Sequence, residues 1–362
     1  MNYDVMFMRN AGIIEGFYGT PWEREMRLSY ASFMSECGLS FYIYAPKNDP
    51  FLRRRWQDEW TEDYVCYLLD LAQAFHRRGI RFGIGFTPHG DASEVLASGS
   101  LLSRRIREIA SLLPLDIFAL LFDDLTNNDR DKLASFQLAV TDLFLEASSS
   151  VPCHVVCPSY YSFDPVLEKV FGAMPAGYWK EYAVGLDPAV DVFWTGNRVC
   201  SPGYTREDLE RAADVLGRKP FLWDNYPVND GRKMADFLYL RPFSDRGPEL
   251  DQLTSGHGIN PMREPLVNRL VLATLPWAYD GAPLTEASSE YRRLAEKLLG
   301  RETADLVLRD FELFAHRGLG SMAPEQAESL AAEYQELGTA AGQEIATYLR
   351  GGYRFDPACL TG

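Results

Sequence analysis

Two adjacent carboxylates, Asp123 and Asp124, close the apolar run Ile117-Phe-Ala-Leu-Leu-Phe122 and precede the turn-like Thr126-Asn-Asn-Asp129. The run has the β-branched, aromatic and aliphatic character of a buried strand. Like charges this close repel and raise at least one pKa, which is costly unless the site uses the proton. General acid/base chemistry exploits that situation. The plainer alternative has one aspartate capping the next helix and the other standing in solvent.

A pair at a strand end needs elements to hold it, and the chain supplies a rhythm of them. Gly12-Ile-Ile14 ends in Glu15-Gly16-Phe17-Tyr18-Gly19, a tight loop suited to close backbone approach. A helical pattern runs from Pro21 to Cys37, with Gly38 as its stop. Strand-like Phe41–Tyr44 and Arg81–Phe86 follow, with a helix from Glu62 to Arg78 between them and another around 101–113 before the aspartate pair. After a helix over 131–146, strands are expected at 154–157, 191–194, 219–223 and 256–259, and a helix then reaches Ala278. Eight β-then-α units at a spacing of ~30 to 40 residues fit a (β/α)8 TIM barrel. An open doubly wound sheet would carry a Gly-rich phosphate loop early on, and Gly83-Ile-Gly85 does not fit that pattern. Beyond Glu286 the pattern is helical only, over 286–299, 303–316 and 324–349, with a break at 318–320. The expected division is a catalytic barrel over 1–283 and a small all-helical C-terminal domain over 284–362.

Composition narrows the function classes. With 46% hydrophobic and 24% charged residues the 362-residue chain is an ordinary globular protein able to bury a large core. A formal charge of −15 speaks against a nucleic-acid binder, which needs a basic surface, and against a polyanionic substrate. No run approaches the ~18 apolar residues of a membrane span. The opening ten residues lack the features of a signal peptide, so the expectation is a cytoplasmic protein with no membrane partner. The six cysteines are scattered through apolar segments without a Cys-x-x-Cys, which suits reduced thiols. Cys153-His154-Cys157 lies on one strand with no second ligand cluster, so neither a metal nor another cofactor is expected.

Position carries more information than composition. Lys47, Asp123, Asp124, Tyr161, Asp224, Asn225 and Asn260 all fall just past an expected strand. In a barrel, polar residues there face one site. His89, alone in its loop, is read as structural. Acids, amides and aromatic faces suit a carbohydrate, because amides and carboxylates bond hydroxyls while rings stack on a pyranose. Two-sided glycoside hydrolysis requires carboxyls ~5 Å or more apart on opposite sides of the bond. Adjacent aspartates serve better when the substrate brings its own nucleophile, a 2-acetamido group; one acid then handles the amide N–H and the other the leaving oxygen.

Four stretches carry a family resemblance: Gly12-Ile-Ile-Glu-Gly-Phe-Tyr-Gly-Thr-Pro-Trp22, Tyr42-Ile-Tyr-Ala-Pro-Lys-Asn-Asp-Pro50, Phe122-Asp-Asp-Leu125 and Trp223-Asp-Asn-Tyr-Pro-Val-Asn-Asp230. Together, in this order over about residues 10–280, the chain resembles glycoside hydrolase family 84, the β-N-acetylglucosaminidases that include protein O-GlcNAcases. The resemblance implies that Asp123 orients the acetamido group and that Asp124 is the general acid and then the base. It further implies sugar contacts from Gly16, Lys47, Tyr161, Trp223, Asn225, Asp230 and Asn260. Asp230 would hold the distal hydroxyls, Asn225 the acetamido side, and Trp223 would form an aromatic wall. The family often has Pro-Thr-Glu before its tyrosine; here Pro158-Ser159-Tyr160 stands there, leaving Tyr160 and Tyr161 as alternatives. The loop Thr87-Pro-His-Gly90 also departs from the usual Ser-Pro-Gly. The expected activity is a retaining exo-β-N-acetylglucosaminidase acting through an oxazoline on a GlcNAc-containing glycan or glycoprotein. A hyaluronidase-type endo-hexosaminidase, a non-catalytic glycan-binding barrel and a metal-dependent barrel enzyme are the competing readings.

Overall fold

The computed structural model describes residues 10–90, 92–123, 130–353 and 355–360. Eight short strands lie in chain order: β1 (Ala11–Glu15), β2 (Phe41–Tyr44), β3 (Arg81–Phe86), β4 (Ile117–Leu121), β5 (Cys153–Cys157), β6 (Asp191–Trp194), β7 (Pro220–Asp224) and β8 (Gly256–Ile259). Each pairs in parallel with the next, and β8 returns to β1 through Ala11–His257, Gly12–Gly258 and Ile13–Ile259, closing the barrel. The chain therefore folds as a (β/α)8 barrel with further helices after it.

Strand alternation sorts the core into two clusters. Ile14, Phe41, Ile43, Ile117, Ala119, Leu121, Phe193 and Phe221 fill the barrel interior. Ile13, Tyr42, Phe82, Phe118, Leu120, Trp194 and Leu222 face the helices instead. The interior is crowded enough to dictate glycine at Gly85, where a Cβ would sit 2.7 Å from the Ala45 Cβ and 2.8 Å from Leu121 Cδ1. On the outer face, buried Glu15 receives a two-point ion pair from Arg27 of the first helix (2.8 and 2.5 Å) and the Tyr42 hydroxyl. Burial opposes the Arg27 charge, but Glu15 more than compensates and holds the guanidinium firmly protonated.

The helices show ordinary causes. In Glu62–His76, the Thr61 side chain accepts from the Tyr64 N–H (3.3 Å), acids occupy the first turn, and Leu68, Leu71, Ala72 and Phe75 turn inward. Between β5 and β6 lie two short helices, Val166–Phe171 and Tyr178–Gly185, that periodicity does not reveal because Gly172, Pro175 and Gly177 interrupt it. The expected single helix over 324–349 is two, Pro324–Glu336 and Ala340–Leu349. Gly338 in the left-handed region ends the first, and the Thr339 side chain caps the second at Gly342 (3.0 Å). Among the described residues no helix is long and apolar enough to cross a membrane.

The last helix is tied to the barrel by a buried carboxylate. Glu344 accepts from the backbone N–H groups of Leu266 (2.9 and 3.0 Å) and Val267 (2.8 Å), capping the helix Pro265–Leu272. Burial pushes its carboxyl up to about 8 from an ordinary 4.5; the two N–H donors and Arg269 oppose this, while Glu264 adds to it. A carboxyl raised in the folded state keeps a proton that the unfolded chain releases. The stability it contributes is full below the unfolded value and is lost as pH rises through the folded one. Between pH 5 and 8 the wild type is therefore expected to lose melting temperature relative to Glu344→Gln, by roughly a few degrees. Thermal denaturation of both proteins at constant ionic strength checks this; a difference that does not change with pH rules it out.

Candidate active site

The inward phase of β4, set by Ile117, Ala119 and Leu121, continues to Asp123, which enters the barrel mouth as a buried carboxylate. Lys47, just beyond β2, forms a buried ion pair with Asp123 Oδ2. The ammonium lies 5.4 Å from the Trp223 ring centroid and 5.8 Å from that of Tyr18, so the cation is enclosed by aromatic faces. Asp123 Oδ1 is buried and has no hydrogen-bond partner among the described residues. A buried acceptor in that condition is a place for a donor that arrives with a ligand. Asp124, the second member of the pair, lies outside the described residues.

Opposite Asp123, the end of β7 supplies a wall. Trp223 Nε1 donates to Asn225 Oδ1 (3.0 Å), which also receives Asn260 Nδ2 (2.9 Å). Asn260 Oδ1 accepts from the Gly16 N–H (3.2 Å), and Asn225 Nδ2 donates to the Val199 carbonyl (2.9 Å). This chain assigns both amide orientations and leaves Asn225 one further N–H to offer. Gly16 is required by contact: a Cβ there would lie 2.3 Å from Trp223 Cζ2. Asp230 is buried too, and its Oδ2 accepts from the Tyr18 N–H (2.8 Å).

Gly16, Lys47, Asp123, Tyr161, Trp223, Asn225, Asp230 and Asn260 all line one pocket of about 510 Å³, part of it open to solvent. Of the two tyrosines, Tyr161 lines this pocket; the Tyr160 hydroxyl is used on the Gly172 carbonyl (2.7 Å). One expectation is corrected. Asp224 ends β7 in the outward phase and faces the helix layer, where Arg246 holds both its oxygens (3.0 Å each) and His257 Nε2 lies 3.0 Å from Oδ2. Burial alone would raise its carboxyl, yet Arg246 and His257 outweigh that and hold it down at about 2. Asp224 is thus a permanent anion of the scaffold. Arg246 also donates to the carbonyls of Ser201 (3.2 Å) and Pro202, bracing the loop that carries Val199. His89 is exposed and apart from the pocket.

The pocket contains residues not anticipated from sequence. Tyr18 belongs to the Gly16–Gly19 loop and Thr195 to the end of β6, so strand-end position alone could have raised both. Cys157, Val199, Cys200, Val228, Met234 and Cys359 also line it. Cys359 had no signal at all, standing far along the chain from every other lining residue. None of the six cysteines is in a disulfide, and among the described residues no group of three or more His, Cys, Asp or Glu is placed to hold a metal ion.

The sequence model of a family described as beta-N-acetylglucosaminidase matches residues 11–311. The chain belongs to this family. Protein O-GlcNAcases of Rattus norvegicus and Mus musculus are each 29% identical to it over 280 residues. Those matches cover 74% of this chain but 30% of theirs, so the chain spans under a third of the length of these relatives. A mutant O-GlcNAc hydrolase of Thermobaculum terrenum superposes with a TM-score of 0.75 at 27% identity, over 95% of this chain and 81% of that one. The structure of CpGH84B gives 0.70 at 27% identity, over 93% and 60%. As a member of the beta-N-acetylglucosaminidase family, the chain is expected to be sensitive at Gly16. Gly16→Ala should displace the Trp223 wall, lower the melting temperature by a few degrees and, under the function proposed below, raise KM for a GlcNAc glycoside ~10-fold. Steady-state kinetics beside tryptophan fluorescence check this; an unchanged KM contradicts the packing argument.

Proposed function

We propose that the protein is a retaining exo-β-N-acetylglucosaminidase whose substrate supplies the nucleophile. The observation that carries this reading is Asp123: one oxygen is neutralised by Lys47, and the other is buried and unpartnered among the described residues. That vacant acceptor suits the N–H of a 2-acetamido group. The surrounding amides suit sugar hydroxyls, and the Trp223 face suits a pyranose ring.

In the proposed reaction the acetamido carbonyl oxygen attacks the anomeric carbon as the bond to the leaving oxygen breaks. Asp124 gives that oxygen a proton. Asp123 accepts the amide N–H and stabilises the positive charge that develops on the oxazoline nitrogen. Water, deprotonated by Asp124, then attacks the anomeric carbon and opens the ring, so two inversions retain the β configuration. Tyr161 and Asn225 would border the acetamido group, Gly16 would offer its carbonyl, and Lys47, Asp230 and Asn260 would take hydroxyls. The substrate class is a terminal β-GlcNAc on a glycan or glycoprotein, O-GlcNAc on protein included. In the same reading the barrel over 1–283 holds the chemistry and the helices over 284–362 brace it.

Hydrolysis of an aryl β-GlcNAc, with and without a chelator, tests the proposal: activity is expected and the chelator should not reduce it. Asp124→Asn should slow substrates with poor leaving groups ~10²-fold or more and activated aryl substrates far less. Asp123→Asn should slow both by ~10²–10³-fold. No hydrolysis, chelator-sensitive hydrolysis, or equal tolerance of the two substitutions would each refute the assignment.

A further inference from the structure

The segment 355–360 comes from beyond the last helix, yet its Cys359 is buried in the pocket wall. One contact ties the segment to the barrel loop and two hydrogen bonds shape it from within. The Arg232 guanidinium lies 4.9 Å from the Phe355 ring centroid, and Arg232 follows Asp230 by two residues on the same loop. Asp356 then turns the chain back, accepting from the Ala358 N–H at its side chain (2.9 Å) and from the Cys359 N–H at its carbonyl (3.0 Å). Upstream, the Tyr348 hydroxyl donates to the Asp236 carbonyl, fixing the last helix to the Asp230 loop.

The chemistry of this sector differs from the rest of the pocket. Cys200 Sγ lies 3.9 Å from Met234 Sδ, and these two residues and Cys359 give a soft surface to the pocket that Asp230 also lines. Sulfur and aliphatic atoms offer little to the hydroxyls of another sugar, so a ring extended past Asp230 would meet a wall and lose its hydration.

We infer that segment 355–360, clamped by Arg232 on Phe355, ends the substrate pocket beyond Asp230 and restricts it to a sugar with free distal hydroxyls. The inference rests on the reading of Asp230 under the proposed function. It makes this segment a specificity element supplied from outside the barrel strands.

The test compares wild type with Arg232→Ala and Phe355→Ala on two chromogenic substrates. One is an aryl β-GlcNAc; the other is the same glycoside capped at its 4-hydroxyl by β-galactose, which carries no acetamido group and cannot be removed first. Releasing the clamp should raise the capped-to-uncapped ratio of kcat/KM by at least ~10-fold, with uncapped turnover within ~3-fold of wild type. A second readout is alkylation of Cys359 followed peptide by peptide in a mass spectrometer. Free GlcNAc should slow it in wild type, and either substitution should accelerate it. Unchanged ratios and unchanged labelling in both folded variants would overturn the inference. If wild type cleaves neither substrate, the parent reading fails, and the labelling arm alone decides whether 355–360 walls the pocket.

Discussion

A two-residue alternation governs this molecule. Each barrel strand sends one residue toward the interior and the next toward the helices, and the phase persists one or two residues past the strand end, where the polar groups stand. Asp123 and Asp224 are the clearest consequence. Both close an apolar strand and both are buried, yet Asp123 shares the phase of Ile117, Ala119 and Leu121 and enters the pocket. Asp224 follows Leu222 outward to Arg246 and His257. The first is left with an oxygen for a ligand; the second has both oxygens occupied. Identical chemistry at the two strand ends is thereby split between function and scaffold.

Much of the fold was legible because buried parallel strands are short apolar runs bounded by glycine, proline or polar residues. β2, β3, β6 and β8 have the bounds expected from their sequences, even where β8 is only Gly-His-Gly-Ile. The helices after the barrel were less so, since Gly338 reads as a tolerated interruption until a capping threonine is seen to follow it. In the site, membership was largely readable from strand-end position and the glycine-flanked loop at Gly16, while the specific roles of Gly16 and Asp230 came from the resemblance alone. Phase was not: a strand of five residues can begin one residue earlier without altering its composition, and that shift decides where Asp224 points. Tyr160 against Tyr161 was open because Pro158-Ser159-Tyr160 departs from the family pattern, and it is the Gly172 carbonyl that draws the Tyr160 hydroxyl away from the pocket. Cys359 lay beyond any local rule, because contacts of that sequence separation leave no periodic trace.

The outward ion pairs explain how a mouth built from loops stays in register. Glu15 with Arg27 sits beneath Gly16, and Asp224 with Arg246 sits beneath Asn225, each locking a strand end to its surroundings one residue before the pocket begins. Breaking a buried pair by removing one partner leaves a charge uncompensated, at a cost of roughly 3–5 kcal/mol. Such pairs therefore resist displacement, and the amide chain from Gly16 through Asn260 and Asn225 to Trp223 inherits their rigidity. Arg246 extends this to the neighbouring loop after β6 through the Ser201 and Pro202 carbonyls.

Rigidity of that kind bears on why the pocket can keep an unsatisfied acid oxygen. A buried acceptor without a donor costs about 1–3 kcal/mol, and a mobile carboxylate would rotate to recover it. Asp123 cannot readily do so, because Lys47 holds Oδ2 and the Trp223 and Tyr18 rings confine the ammonium in turn. Among the described residues nothing relieves that penalty, and in the proposed function a ligand N–H would do so, which would favour an amide donor over a ring carbon that bears none. In the proposed reaction, positive charge growing on that nitrogen would strengthen the same contact, so the interaction would contribute more to the transition state than to the bound ground state. Under the proposed function, an acid kept incomplete by its neighbours would be the means by which the barrel distinguishes a 2-acetamido sugar from its 2-deoxy counterpart.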